Sequence, residues 1–123
     1  VEAKKVMDPK ALMRAQSLVR HVPVGESVAE AILKLVRAGR PDASDLPEIR
    51  NYVSWGPGPR ASQAMMLGVR ARAMIQGRLA PSLEDVYALA QPILRHRMAL
   101  TFGARAEGVS VSQIIDRLCH IIE

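Results

Sequence analysis

Apolar residues recur along this chain at steps of three and four, the period of an amphipathic helix rather than the alternation of a strand. Asp8-Pro9 reads as an N-cap followed by proline at the first helical position. Ala11, Leu12, Ala15, Leu18, Val19 and Val22 then share one face, and the helix is expected to fade before Pro23. A second helix begins near Glu26, with Val28, Ala31, Ile32, Leu35 and Val36 in one stripe. Gly39 and Pro41 mark its stop, and Arg37 and Arg40 suit the negative end of its dipole. "PDASDLPEIRNYV" is an acidic connection with room for a short helical turn.

The next helix is expected from about Pro59 to Gln76. Ala61, Ala64, Met65, Leu67, Gly68, Ala71, Met74 and Ile75 leave only a narrow polar strip with Gln63 and Arg70. A helix so apolar around its girth belongs at the centre of a bundle. Ser82 caps the following helix, with Asp85 three residues on as an acidic relative of the capping box. Val86, Leu89, Ala90 and Ile93 make its buried face, and Pro92 predicts a kink or a new short turn. "HRMALTFG" reads as an extended passage. Ser110 and Gln113 form a full capping box, with Val109 and Ile114 placed as a hydrophobic staple. Val111, Ile114, Ile115, Leu118 and Ile122 line the last helix. Five helical segments, short linkers and no repeat predict an all-α fold, a compact helical bundle forming a single domain over residues 1–123.

Composition narrows the function classes. Aromatics are only 3% of the chain, so the core is built from Leu, Ile, Val, Met and Ala, and stacking on single-stranded nucleic acid has little to work with. The net charge is +5, carried by 13 Arg and 4 Lys. Arginine's planar fork suits phosphates and carboxylates. No apolar run approaches the roughly 20 residues of a membrane span, no secretory leader is visible, and Cys119 is the only cysteine, which fits a reducing, cytoplasmic setting. His21, His96 and His120 share no ligand spacing, so no metal site is expected. Glu84 and Asp85 are adjacent on a helix and diverge, which excludes a paired acid and base. Neither a nucleophile elbow nor a Walker-type phosphate loop occurs. Cys119 and the methionines read as packing residues.

One stretch stands apart. In "SWGPGPRASQ" two glycines and two prolines alternate, and Arg60 follows at the second position of the central helix. The first turn of a helix exposes unpaired N–H groups and a positive dipole end, where a cation gains nothing. Arg60 and those N–H groups could converge on an anion, most naturally a phosphate. The glycines would let the backbone bend tightly and admit a ligand closely. A surface arginine whose long stem carries its charge away from the helix end fits the residues equally well.

"GPGPRASQAMMLGVRARAMIQGR" followed by "SLEDVYALAQPILRHR" resembles the C-terminal helical lid of MoxR-family AAA+ ATPases. The resemblance extends back through "ILKLVRAGRP" and forward through "AEGVSVSQIIDRL", nearly the whole chain. That family carries a G-x-S-P-R-A motif supplying the sensor-2 arginine, which Gly56, Pro59, Arg60 and Ala61 match and which assigns the role to Arg60. Gly58 departs from the pattern, standing where the family has serine, so the helix start loses a side-chain cap. The resemblance implies a lid over ATP, with Mg²⁺ bound by an ATPase core of the same parent protein that this fragment lacks. The chain alone should then not hydrolyse ATP. It also implies ring neighbours, a chaperone-like maturation role and a von Willebrand factor A-domain protein as partner. Arg95, His96 and Arg97 would contact the core or an adjacent subunit, or else simply satisfy a helix C-terminus. The competing readings are a basic helical nucleic-acid-binding module and an adaptor using an exposed apolar face.

Overall fold

The computed structural model describes residues 1–123. Asp8 starts the first helix as its position predicts: its carboxylate accepts the Ala11 N–H at 2.7 Å, and Pro9 occupies the first helical position. The helices run α1 Pro9–Val19, α2 Glu26–Ala38, α3 Pro47–Tyr52, α4 Pro59–Ile75, α5 Leu83–Leu94, α6 Phe102–Ala106 and α7 Val111–His120. Two short strands, β1 Val53–Trp55 and β2 Ala99–Leu100, pair antiparallel with Val53 opposite Leu100 and Trp55 opposite Ala99. The all-α bundle is as expected, with α3 filling the acidic connection and α6 starting within the last two residues of "HRMALTFG".

That passage is only partly extended. Pro92 does not break α5, which continues to Leu94 and then tightens into a 3₁₀ turn, Arg95–Arg97. Lying one turn from the helix end, proline removes a single interior bond and is tolerated there. Arg97 donates to the Ile93 carbonyl at 2.8 Å, satisfying a group near the helix end. Thr101 then caps α6 by accepting the Ala104 N–H at 3.1 Å.

The core is one cluster in which Ile32 and Leu35 of α2, Met65 and Val69 of α4, Val86 and Leu94 of α5, and Ile115 and Leu118 of α7 are fully buried. Helix α4 lies centrally, packed by α1, α2 and α5. The capping box at Ser110 forms, with Ser110 Oγ accepting from Gln113 N–H at 3.2 Å and Gln113 Oε1 accepting from Ser110 N–H at 3.0 Å. Helix α1 departs from its expected face. Val19 alone is buried, while Leu12 and Leu18 are 51% and 59% exposed. Its main packing partner is α4 alone, so an amphipathic pattern overstates what it covers.

The α4 entry is fixed by backbone against backbone. A Cβ on Gly56 would overlap the Gly39 carbonyl oxygen and come within 2.9 Å of the Arg40 Cα. A Cβ on Gly39 would lie 3.1 Å from the Pro57 ring, and Pro57 is fully buried. The end of α2 and the start of α4 are therefore interlocked through residues without side chains or with a rigid ring. The φ of Gly56 is not positive, so close packing, rather than a tight turn, is what demands glycine there. Gly58 differs: it is the N-cap of α4 with φ −111° and ψ −164°, and a Cβ there meets nothing within 4 Å.

The other end of α4 is held by charge. Asp85 is fully buried at the start of α5. Its carboxylate accepts from Arg72 Nη1 at 2.6 Å, from Arg78 at 2.7 and 2.5 Å, and from the Ser82 N–H at 2.8 Å. The Arg78 hydrogen bonds above all, helped by Ser82 and Arg72, hold this carboxyl well below the usual carboxylate range although burial opposes them. What reads in sequence as a helix cap is thus also an ionic clamp between the last turn of α4, the 76–82 connection and α5.

Two stability predictions follow the two ends of α4. Gly56→Ala is expected to destabilise the fold by about 1–3 kcal/mol, the range for overpacking. Gly58→Ser, in open space, is expected to stabilise by a few tenths of a kcal/mol. Urea unfolding of both variants checks the contrast. Asp85→Asn should cost about 3 kcal/mol at neutral pH, at the low end because the guanidiniums left behind are 32% and 34% exposed and can rehydrate. A carboxyl with a lowered native pKa contributes fully above its unfolded value, about 4, and its contribution fades as pH falls from there toward the native value. The difference between wild type and Asp85→Asn should therefore be constant from pH 7 to 5 and shrink below pH 4, measured by urea unfolding across pH.

Candidate functional site

Because Gly56 and Pro57 pin the chain against the end of α2, Pro59 and Arg60 emerge at the surface as the first turn of α4. Both are exposed. Gly58 supplies no side-chain cap, and no acidic residue lies in the first turn of α4, so nothing in the helix's own start neutralises the positive dipole end. Arg60 makes no ion pair within the chain; the arginines that do are Arg40, Arg50, Arg72, Arg78 and Arg117.

Arg60 faces a cleft of about 450 Å³ lined by Trp55, Gly56, Gly58, Pro59, Arg60, Ala61, His96 and Arg97. The opposite wall is the 3₁₀ turn at the end of α5, brought to α4 by the packing of the two helices and by the β1–β2 pairing. A second cleft of about 380 Å³ shares Gly58 and Pro59 and adds Arg37, Arg40, Ser62 and Gln63. Neither lining contains an aspartate or glutamate. Arg40 alone among these cations has a carboxylate nearby, Asp42 at 3.6 Å, and both partners are well exposed. The start of α4 is thus flanked by arginines and helix N–H groups with little to balance them, a place that favours an anion.

The largest cavity, about 560 Å³, lies elsewhere, between α2 and the chain around Asp45. Glu30, Lys34, Arg37 and Asp45 give it mixed charge with no convergence on one ligand chemistry, so size is a poor guide here.

Of the residues singled out in sequence, the structure brings Gly56, Pro59, Arg60, Ala61, His96 and Arg97 to one cleft. Arg95 stands outside that lining, exposed, with Nη2 3.4 Å from Gln91 Oε1 one helical turn back. Ala61 is fully buried and Arg97 is half-buried, its Nη1 engaged by Ile93. Trp55 escaped the sequence reading. It is 56% exposed at the rim, and its place immediately before the glycine-proline stretch was the available signal. No group of three His, Cys, Asp or Glu side chains is placed to hold a metal ion. No helix is long and apolar enough to cross a membrane.

Comparison with known proteins bears on the family and the fold. The family model described as AAA lid domain matches residues 48–118, which span both walls of the cleft. The chain is 27% identical over 122 residues to chaperone MoxR1 of Mycobacterium tuberculosis (strain ATCC 25618 / H37Rv), covering 98% of this chain and 32% of that protein. A crystal structure from Cytophaga hutchinsonii ATCC 33406, of a protein assigned as an ATPase, superposes with a TM-score of 0.88 at 29% identity, over 95% of this chain and 36% of that one. The chain therefore spans about a third of the length of each relative. The family model matches more than half of the chain, so the chain belongs to the AAA lid domain family, and it is similar in sequence to a MoxR chaperone and in fold to the solved ATPase.

Proposed function

We propose that this chain is the lid of a MoxR-type AAA+ ATPase, closing over ATP held by an ATPase core of the same parent protein, with Arg60 as its sensor-2 arginine. The observation that carries the reading is the exposed, unpaired Arg60 at the start of α4, in a cleft without acidic residues. An internal carboxylate locked to Arg60 would have argued for a structural role, and none is present.

The residues fit a polyphosphate. Arg60 supplies a fork of donors, the first N–H groups of α4 add theirs, and Gly56, Pro59 and Ala61 shape the backbone behind them. ATP with Mg²⁺ supplies the phosphoanhydride to be cleaved, and Mg²⁺ would be bound by the core. What this chain does is place positive charge where negative charge develops during hydrolysis. Interlocked at its entry and clamped at its exit, α4 carries Arg60 as part of a rigid unit, so movement of the arginine toward phosphate moves the whole lid. His96 and Arg97 stand beside Arg60 to contact the core or the adjacent subunit of a ring. A chaperone-like maturation role, with a von Willebrand factor A-domain protein as partner, completes the proposal. The nucleic-acid alternative has no feature in its favour beyond net charge: the arginines are scattered among the segments, and Arg72, Arg78 and Arg117 are held in ion pairs away from the cleft.

In the full-length protein, Arg60→Ala is expected to lower ATP turnover by about 10- to 100-fold, the worth of one hydrogen bond between charged groups. The helical signal and urea midpoint of the variant should match wild type, since Arg60 touches no internal partner. A steady-state phosphate-release assay checks this, and unchanged turnover would remove Arg60 from the reaction.

A further inference from the structure

Trp55 is the chain's only tryptophan, and it lies 56% exposed at the rim of the Arg60 cleft. Tryptophan is usually among the most thoroughly covered residues, because its indole carries a large apolar area. Leaving it open beside a cleft of cations is informative where an equally open aromatic elsewhere is not. Phe102 is 89% exposed but lines no cleft containing Arg60.

The backbone beneath Trp55 is held on both sides. On one side it pairs opposite Ala99 in β2, and the Ser54 hydroxyl donates to the Ala99 carbonyl at 3.0 Å. On the other, Gly56 is pressed onto the Gly39 carbonyl with no room for a side chain. The ladder is irregular between Val53 and Trp55, a local distortion of the kind that re-aims a side chain. The indole is thus presented from a fixed backbone at the mouth of a cleft whose lining also includes Arg60, His96 and Arg97. A flat apolar surface in the same cleft as the unpaired Arg60 guanidinium matches a ligand that is flat at one end and polyanionic at the other.

We infer that Trp55 is a positioning residue for nucleotide, stacking on the base while Arg60 engages the phosphates. The inference rests on the nucleotide reading of Arg60 and adds to it a source of discrimination. Phosphate contacts do not distinguish a nucleotide from inorganic polyphosphate, whereas a stacking surface does. Purines, with the larger π-face, should gain more than pyrimidines.

The test uses the full-length protein, with ATP and inorganic tripolyphosphate each displacing a fluorescent ATP analogue. Trp55→Leu is expected to weaken ATP by about 10-fold, within the range of base–aromatic stacking, and to leave tripolyphosphate unchanged. Trp55→Phe should restore most of the loss. Arg60→Ala, run alongside, should weaken both competitors. ATP affinity that is unchanged in Trp55→Leu, or an equal loss for ATP and tripolyphosphate, overturns the stacking role while leaving the Arg60 result to stand by itself. If Arg60→Ala alters neither competitor, the phosphate reading fails instead, whatever Trp55→Leu does. Because Trp55 is largely exposed, a matching urea midpoint for Trp55→Leu is expected and confirms that affinity, not folding, has been read.

Discussion

The contact between Gly56 and the carbonyl of Gly39 sets the position of almost everything else. It brings the C-cap of α2 against the approach to α4 at a separation that excludes even a methyl group. Pro57, buried in the same seam, removes the remaining freedom. With α4 entering at a fixed point, Arg60 must emerge at the surface, the N–H groups of the first turn must face the same way, and the 3₁₀ turn after α5 becomes the facing wall. The exposed, positively charged start of α4 is therefore a product of steric fit three and four residues upstream of Arg60, and not of any interaction that Arg60 itself makes.

Two kinds of force secure the ends of α4, and they respond differently to conditions. The entry relies on packing of uncharged backbone and is indifferent to pH and salt. The exit relies on a desolvated carboxylate shared by two arginines, which is specific in geometry and costly to leave half-made. Buried Asp85 ties together segments that are otherwise joined by a connection containing exposed Gln76, Gly77, Leu79 and Ala80. Without the clamp, the α4–α5 pair would meet mainly through apolar surface, which permits sliding; with it, their register is specified.

Much of this was legible in the sequence. Asp8-Pro9, Pro59 and the Ser110–Gln113 pair announce helix starts through local chemistry, and each lies where that chemistry puts it. The girth of α4 announces its central place. Local signals say less about elements whose form comes from distant partners. Strands β1 and β2 are three and two residues long and exist because residues 53 and 100 meet across the bundle. Asp85 looks like a cap because Ser82 is near in sequence, while Arg72 and Arg78 reach it only once the chain has turned back. Gly56 invites an explanation in terms of bending or ligand approach, yet its requirement comes from Gly39, seventeen positions away. The cleft's aromatic rim was signalled only by the place of Trp55 before the glycine-proline stretch, because exposure is a property of the assembled fold.

Helix α1 shows how unevenly cohesion is shared. Its side chains cover little, and Leu12, Met13 and Leu18 stay largely in water. Short helices without such support are marginal by themselves. This segment should therefore open on its own, exchanging its amide protons orders of magnitude faster than those of α4, whose release demands separation of the whole core. The molecule thus pairs a stiff centre with a loosely tethered outer arm, and a proteolytic nick would be expected first in the arm.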